Sequence, residues 1–356
     1  MQLSELTASK KLACPACGGE AQWNPAKKAL VCAFCGTESP YEVKTSGEIV
    51  EHDLVAALKA IPKDARGWQD ERRSVRCQHC QAISTFTAAQ QGKACDFCGS
   101  TSLVPFEETG DIIRPESLLP FEVNEPSARD KLRQWYKSRF WAPNNLGGKA
   151  LTDTVKGVYL PYWTFDADVN ASYRAEGGEY YQNQKGEREV RWFPVSGQVQ
   201  HFFDDTLVCG SKGVHPSLVE AVEPFPTSSE RLKPYDPGYL SGWTVERYQL
   251  DLVASAQRGR ERMTDAIQQM CAQDIRADTH RNLQVSPSFD RQTFKHVLLP
   301  IWMVGYRYGA KDYQVVVNGA TGQVAGEYPK SWVKIALAVI AALVVLYIFM
   351  SLQGGR

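Results

Sequence analysis

Lys156-Gly-Val-Tyr-Leu-Pro-Tyr-Trp163 and Lys295-His-Val-Leu-Leu-Pro-Ile-Trp302 are one eight-residue phrase written twice in the chain. Each copy keeps Lys first, Val third, Leu fifth, Pro sixth and Trp eighth. Each then runs into an alternating segment, TFDADVNASYRAEGG from Thr164 and MVGYRYGAKDYQVVVNG from Met303. Apolar and polar residues taking turns is the pattern of a strand with one face buried. A proline has no N–H to give to a ladder, so Pro161 and Pro300 are expected at strand starts or sheet edges. The reading is two related β-meander units, each opened by a Leu-Pro-x-Trp edge. Arg191–Val208 belongs to the first unit, and a tight turn at Asn318–Gly322 ends the second.

Between the two copies, Trp243–Arg276 has apolar or small residues at 245, 248, 252, 256, 259, 263, 267 and 270. Steps of three and four predict one long helix with a single buried stripe. A second helix is expected over Ser127–Trp141, apolar or aromatic at 132, 135, 136, 140 and 141 and otherwise basic. It reads as a packed helix with a solvated basic face, and less readily as a surface for anionic lipid or nucleic acid. The expected core of the protein, residues 106–330, is therefore an α+β soluble domain with an antiparallel sheet and one long helix.

The first hundred residues carry different chemistry. Cys14-Pro-Ala-Cys17 is followed after fourteen residues by Cys32-Ala-Phe-Cys35, and Cys77-Gln-His-Cys80 after fourteen by Cys95-Asp-Phe-Cys98. Two residues between cysteines let one tight turn point both sulfurs at one ion. The glycines at 18, 36 and 99 relieve the bend that follows. Two small β zinc ribbons, 11–41 and 72–105, are expected, joined by a helical bridge over 42–71. Each site is read as structural, because four protein ligands leave no open position for water. Thus Cys14, Cys17, Cys32 and Cys35 hold one Zn2+, and Cys77, Cys80, Cys95 and Cys98 hold a second. Closing a short loop costs less entropy than bridging the two modules, so the sets are not expected to mix. His79 lies within a knuckle and is read as a solvent-facing turn residue.

At the far end, Ile335–Leu352 reads IALAVIAALVVLYIFMSL, with no charge. Such a run reads as a single C-terminal transmembrane helix, over 332–352, with Lys334 reaching back to the headgroups. The opening MQLSELTASKK shows no apolar signal segment, and reduced thiolates suit a reducing compartment. The corresponding expectation is a single-pass inner (cytoplasmic) membrane protein with its N-terminal bulk in the cytoplasm, touching membrane lipid through the terminal helix.

Forty basic residues balance forty acidic ones, so no global charge draws the chain to nucleic acid. No catalytic constellation assembles. Asp166 with Asp168, and His201 near Asp204 and Asp205, are read as turn and surface carboxylates. Gly147-Gly-Lys149 lacks the other positions of a phosphate loop. The protein is not expected to be an enzyme.

Taken together, the two ribbons, LPYWTF at 160–165, LKPYDPGYLSGWTVERY at 232–248 and LLPIW through VVVNGATGQVAGEYPKSW up to 332 resemble bacterial membrane-anchored double zinc-ribbon proteins. Their ribbons are of the transcription-factor-IIB type, and such chains are often labelled primosomal replication-restart helicase. A helicase needs a Gly-x4-Gly-Lys-Ser/Thr loop, which is absent here. The expected role is a membrane-tethered zinc-binding adaptor whose ribbons engage a protein partner. The alternative is a nucleic-acid-binding protein using Arg72, Arg73, Arg76, Trp23, Lys27 and Lys28. Elemental analysis should find about two zinc ions per chain, falling to about one in Cys35→Ser.

Overall fold

The computed structural model describes residues 12–38, 41–43, 45, 47–59, 73–86, 94–106, 113–144, 155–309 and 311–353. The repeated phrase opens its two longest strands, β8 (Lys156–Gln182) and β12 (Thr279–Tyr308). They pair antiparallel along nearly their whole length, and the two phrases lie against each other, Leu160 opposite Leu299 and Pro161 opposite Leu298. The prolines are therefore central and buried, where edges were expected. Each sits where its strand changes neighbour. β8 pairs with β11 (Thr244–Glu246) up to Tyr159 and with β9 (Arg188–Cys209) from Tyr162 on. β12 pairs with β7 (Ser117–Leu118) up to Leu298 and with β13 (Lys311–Asn318) from Ile301 on. In that gap no strand asks the proline for an N–H. Its carbonyl is still used: Gly210 N donates to Pro161 O at 2.8 Å and Gly319 N to Pro300 O at 2.9 Å.

Around this pair grows, among the described residues, one mixed sheet of twelve strands. β11 runs parallel to β8 and β7 parallel to β12, so the expected antiparallel α+β domain is corrected to a large mixed sheet with few helices. The sheet continues past β11 into β5 (Ile83–Phe86), β4 (Arg73–Cys77) and β6 (Leu103–Pro105), the strands of the second cysteine module. At the other side it takes in β10 (Lys233–Pro234), β14 (Val324–Gly326) and β3 (His52–Asp53). Only β1 (Ala21–Asn24) and β2 (Ala29–Cys32), the hairpin of the first module, form a sheet apart among the described residues.

The helices are shorter than the periodicity predicts. α4 (Leu252–Asp274) starts nine residues after Trp243, because the Asp251 carboxylate accepts from Ala254 N at 2.8 Å and caps it there. Upstream, Val245 is buried as part of β11 and its apolar side chain mimicked a further helical turn. The stripe Leu252, Ser255, Gly259, Met263, Ile267 and Cys271 faces the sheet. Gly259 permits the approach, since a Cβ there would stand 2.7 Å from the Phe165 ring. α2 (Glu125–Lys137) is capped by Asn124, and its arginines pair within the helix, Arg129 with Glu125 and Arg133 with Asp130. Of the expected bridge helix, α1 (Leu54–Lys59) follows β3 directly, and residues 60–72 lie outside the described residues. α3 (Pro216–Ala221) packs beside β13 and β14.

The last helix, α5 (Trp332–Gln353), corrects the membrane reading. Among the described residues no helix is long and apolar enough to cross a membrane. Lys334 also turns the other way, donating to Phe140 O at 2.9 Å and Ala142 O at 2.7 Å, where a headgroup contact was expected. The expected single-pass inner-membrane placement is therefore not supported.

At the centre of β12, His296 is fully buried, stacked on Trp163 with centroids 4.9 Å apart. Its Nδ1–H donates to Ile113 O at 3.0 Å. Burial pushes its pKa down to about 4. The unfolded imidazole takes up its proton near pH 6.5, so the contribution of His296 is complete above that value and lost as pH falls towards 4. The loss amounts to about 3 kcal/mol. Urea midpoints measured across this window should fall more steeply in the wild type than in His296→Gln.

Candidate metal centres

Four Cys-x-x-Cys turns fold alike. In each, the residue after the second cysteine donates its N–H to the carbonyl of the first: Gly18 to Cys14, Gly36 to Cys32, Gln81 to Cys77 and Gly99 to Cys95, at 2.8–3.0 Å. The first cysteine in turn donates to the carbonyl five residues on, as Cys32 does to Thr37 at 2.9 Å and Cys95 to Ser100 at 2.7 Å. Closing the turn this way forces a left-handed residue, with φ of 73°, 74°, 63° and 73° at positions 18, 36, 81 and 99. Glycine fits that conformation in three turns, and Gln81 is held there with its side-chain amide on Gln78 O at 2.9 Å.

The turns meet in pairs. Cys14 and Cys35 sulfurs lie 3.6 Å apart and Cys17 and Cys32 3.5 Å; Cys77–Cys98 and Cys80–Cys95 are each 3.6 Å apart. All eight thiols are free of disulfides. Sulfurs at a Zn–S distance of about 2.3 Å on a tetrahedron stand about 3.8 Å from one another, so both clusters match the size of a Zn2+ ion. The two cysteine sets do not mix, and each gathers its ligand atoms within 4.8 Å. The Thr37 hydroxyl and amide hold the Cys35 thiol down to about 6. The Cys80 thiol does the same for Cys95, to about 5, and is itself pushed up by that partner and by burial. In each cluster one thiol is thus held towards thiolate, while Cys17 and Cys98 beside them are pushed up by neighbouring thiols and burial. His79 is exposed in its turn.

The two ribbons are attached differently. The first docks through its hairpin: Trp23 meets Tyr239 edge-on at 4.5 Å, its backbone N–H donates to Ser241 O at 3.1 Å, and the Ser241 hydroxyl donates to Ala21 O at 2.5 Å. The second is woven into the sheet, Thr85 opposite Val245 and Ser84 opposite Glu246. Asp96 adds an ion pair with Lys156 and accepts from the Thr244 hydroxyl at 2.7 Å. No spacing in the sequence announces this attachment; an acidic residue at 96 where the first ribbon has Ala33 was the one available hint.

The remaining candidates disperse. Asp166, Asp204 and Asp205 do come together within 4.8 Å. A cation already serves Asp205, since Lys295 Nζ lies 2.7 Å from its Oδ1 and 2.7 Å from Glu51 Oε1. Asp166 accepts from Asp205 N at 2.6 Å and from the Thr293 hydroxyl at 2.8 Å. Burial raises the Asp166 pKa, while at Lys295 burial is outweighed by these carboxylates and the net shift is upward. Asp168 pairs with Arg291 at 2.5 Å in a shallow groove that His201 also lines. The basic residues do not converge: Lys27 pairs with Glu38, Arg76 lies over the Phe106 ring at 4.3 Å, and Trp23 is buried. Arg72 and Gly147–Lys149 lie outside the described residues.

The chain is similar to an uncharacterized protein, YdjG, of Bacillus subtilis (strain 168), 25% identical over 330 residues, covering 91% of each chain. No family model matches, and no solved structure matches. The likeness spans most of the chain, and it brings no helicase reading with it. What stands is a pair of four-cysteine clusters fit for two zinc ions.

Because its strands belong to the main sheet, the second ribbon should unfold together with that sheet. Cys98→Ser should lower the melting temperature of the whole chain further than Cys35→Ser. Gln81→Gly should raise stability by up to about 1 kcal/mol in thermal melts, by relieving the left-handed backbone.

Proposed function

We propose that this protein is a zinc-stabilised interaction scaffold: the sheet and second ribbon form the rigid body, and the first ribbon is offered to a protein partner. The observation that carries the reading is the unequal use of two matching ribbons. The second is spent on the interior of the fold, whereas the first docks through its hairpin, with its Cys17 and Cys35 turns at the surface. Binding, rather than catalysis, is the chemistry we infer. Four thiolates close the coordination shell of each ion and leave no place for a reacting water. In the Asp166 cluster, Asp205 is paired with Lys295 and Asp166 accepts from the Thr293 hydroxyl. Nucleic acid is a weaker reading, because Lys27 is paired with Glu38 and Arg76 lies over the Phe106 ring, and phosphate binding wants a dense unpaired set.

Affinity isolation of the full chain should recover a protein set that Cys35→Ser loses while its body remains folded by circular dichroism. An unchanged set sinks the reading, and so does salt-dependent binding of short duplex or single strands that Cys35→Ser abolishes.

A further inference from the structure

The two ribbons contain matching turns, Cys32-Ala-Phe-Cys35-Gly36 and Cys95-Asp-Phe-Cys98-Gly99, with the same hydrogen bonds and the same left-handed glycine. Their phenylalanines have opposite fates. Phe97 is 0% exposed and Phe34 is 80% exposed. The buried copy shows what such a turn docks into. Its ring fills a socket floored by Gly213, where a Cβ would lie 2.8 Å from the ring and 2.6 Å from Ala82. The backbone of Gly305 passes close beneath the turn, a Cβ there standing 3.2 Å from Phe97 O. The Gln314 side-chain amide donates to that same Phe97 carbonyl at 2.9 Å. The neighbouring Asp96 adds the ion pair with Lys156.

Resting on the scaffold reading above, we infer that the Phe34 turn is the anchor by which the first ribbon engages its partner, and that the partner is a protein offering an apolar socket with a small-residue floor and an amide donor for the Phe34 carbonyl. Two features of the first ribbon support an anchor ready to bind. The Phe34 ring packs closely against Gly19, where a Cβ would stand 2.4 Å from it, which restricts the side chain before any partner arrives. The hairpin behind it is clamped to the body by Trp23 and Ser241, so the turn is displayed on a rigid support. The partner is not a second copy using its own socket, because Phe97 already fills that socket. Ala33 replaces the acidic residue of the second ribbon, which removes the ionic part of the docking and leaves the apolar part. The contact should accordingly be insensitive to salt.

The test places a photoreactive benzoyl-phenylalanine at position 34 of the full chain, and separately at exposed Val253 as a control. The protein crosslinked from 34 and not from 253 is identified by mass spectrometry, purified and titrated against the wild type, Phe34→Ala and Phe34→Leu. All variants should keep about two zinc ions. Phe34→Ala should weaken binding about tenfold or more, with Phe34→Leu intermediate. Wild-type affinity should change less than about twofold between about 50 and 500 mM sodium chloride. Partners lost in Cys35→Ser but kept at full affinity by Phe34→Ala would overturn the anchor and leave the scaffold reading standing. The absence of any partner sensitive to Cys35→Ser would overturn the scaffold reading itself. Crosslinking of position 34 to nucleic acid, or a steep salt dependence, would overturn the proposed partner class.

Discussion

The pairing of β8 with β12 is the constraint on which the other elements depend. Two strands of 27 and 30 residues share one ladder, and each changes its outer neighbour at a buried proline. A strand interior without an N–H is tolerated only where the adjoining partner has ended, so Pro161 and Pro300 mark the places where β9 gives way to β11 and β13 to β7. The exchange opens the sheet sideways. Through the short parallel strand β11 the body reaches the second cysteine module, and through β7 it reaches the segment ahead of α2.

Attachment then divides two near-identical ribbons into different roles. A module with a two-stranded hairpin and a pair of knuckles buries too little to stand without a metal. The second solves this doubly, by its cysteine cluster and by hydrogen bonds into a larger sheet. Its cluster sits among Val158, Leu160, Val214 and Met303, in the same apolar core as the body. The first relies on its cluster and on one aromatic contact region around Trp23 and Tyr239. A difference in what surrounds the two turns leaves one phenylalanine buried and the other exposed.

The cysteine sites were legible almost residue by residue, because a metal knuckle is a local object. Spacing, the following glycine and the hairpin between pairs all act within a few residues. Gln81 was the exception, a left-handed position occupied without glycine and so without a signal. Elements whose identity depends on distant partners were less legible. Val245 satisfied a helical period and became a strand, since a parallel slot beside Val158 and Tyr159 was open to it. The prolines looked like edges because a sequence shows the missing donor and not the gap that accommodates it. Lys334 looked like a charge seeking headgroups until Phe140 and Ala142 carbonyls came within reach.

The sequence by itself determined the two four-cysteine sets, their separation, the duplication of the Lys-x-Val-x-Leu-Pro-x-Trp phrase and the presence of a long amphipathic helix. Each of these is carried by periodicity or by short-range loop closure, which act within a few turns of chain. Only the tertiary structure decided that the duplicated phrases pair with one another, that the second ribbon extends their sheet, and that Phe97 is buried while Phe34 is not. Strand pairing and side-chain burial depend on which distant surfaces meet, and identical local sequences carry no record of that choice.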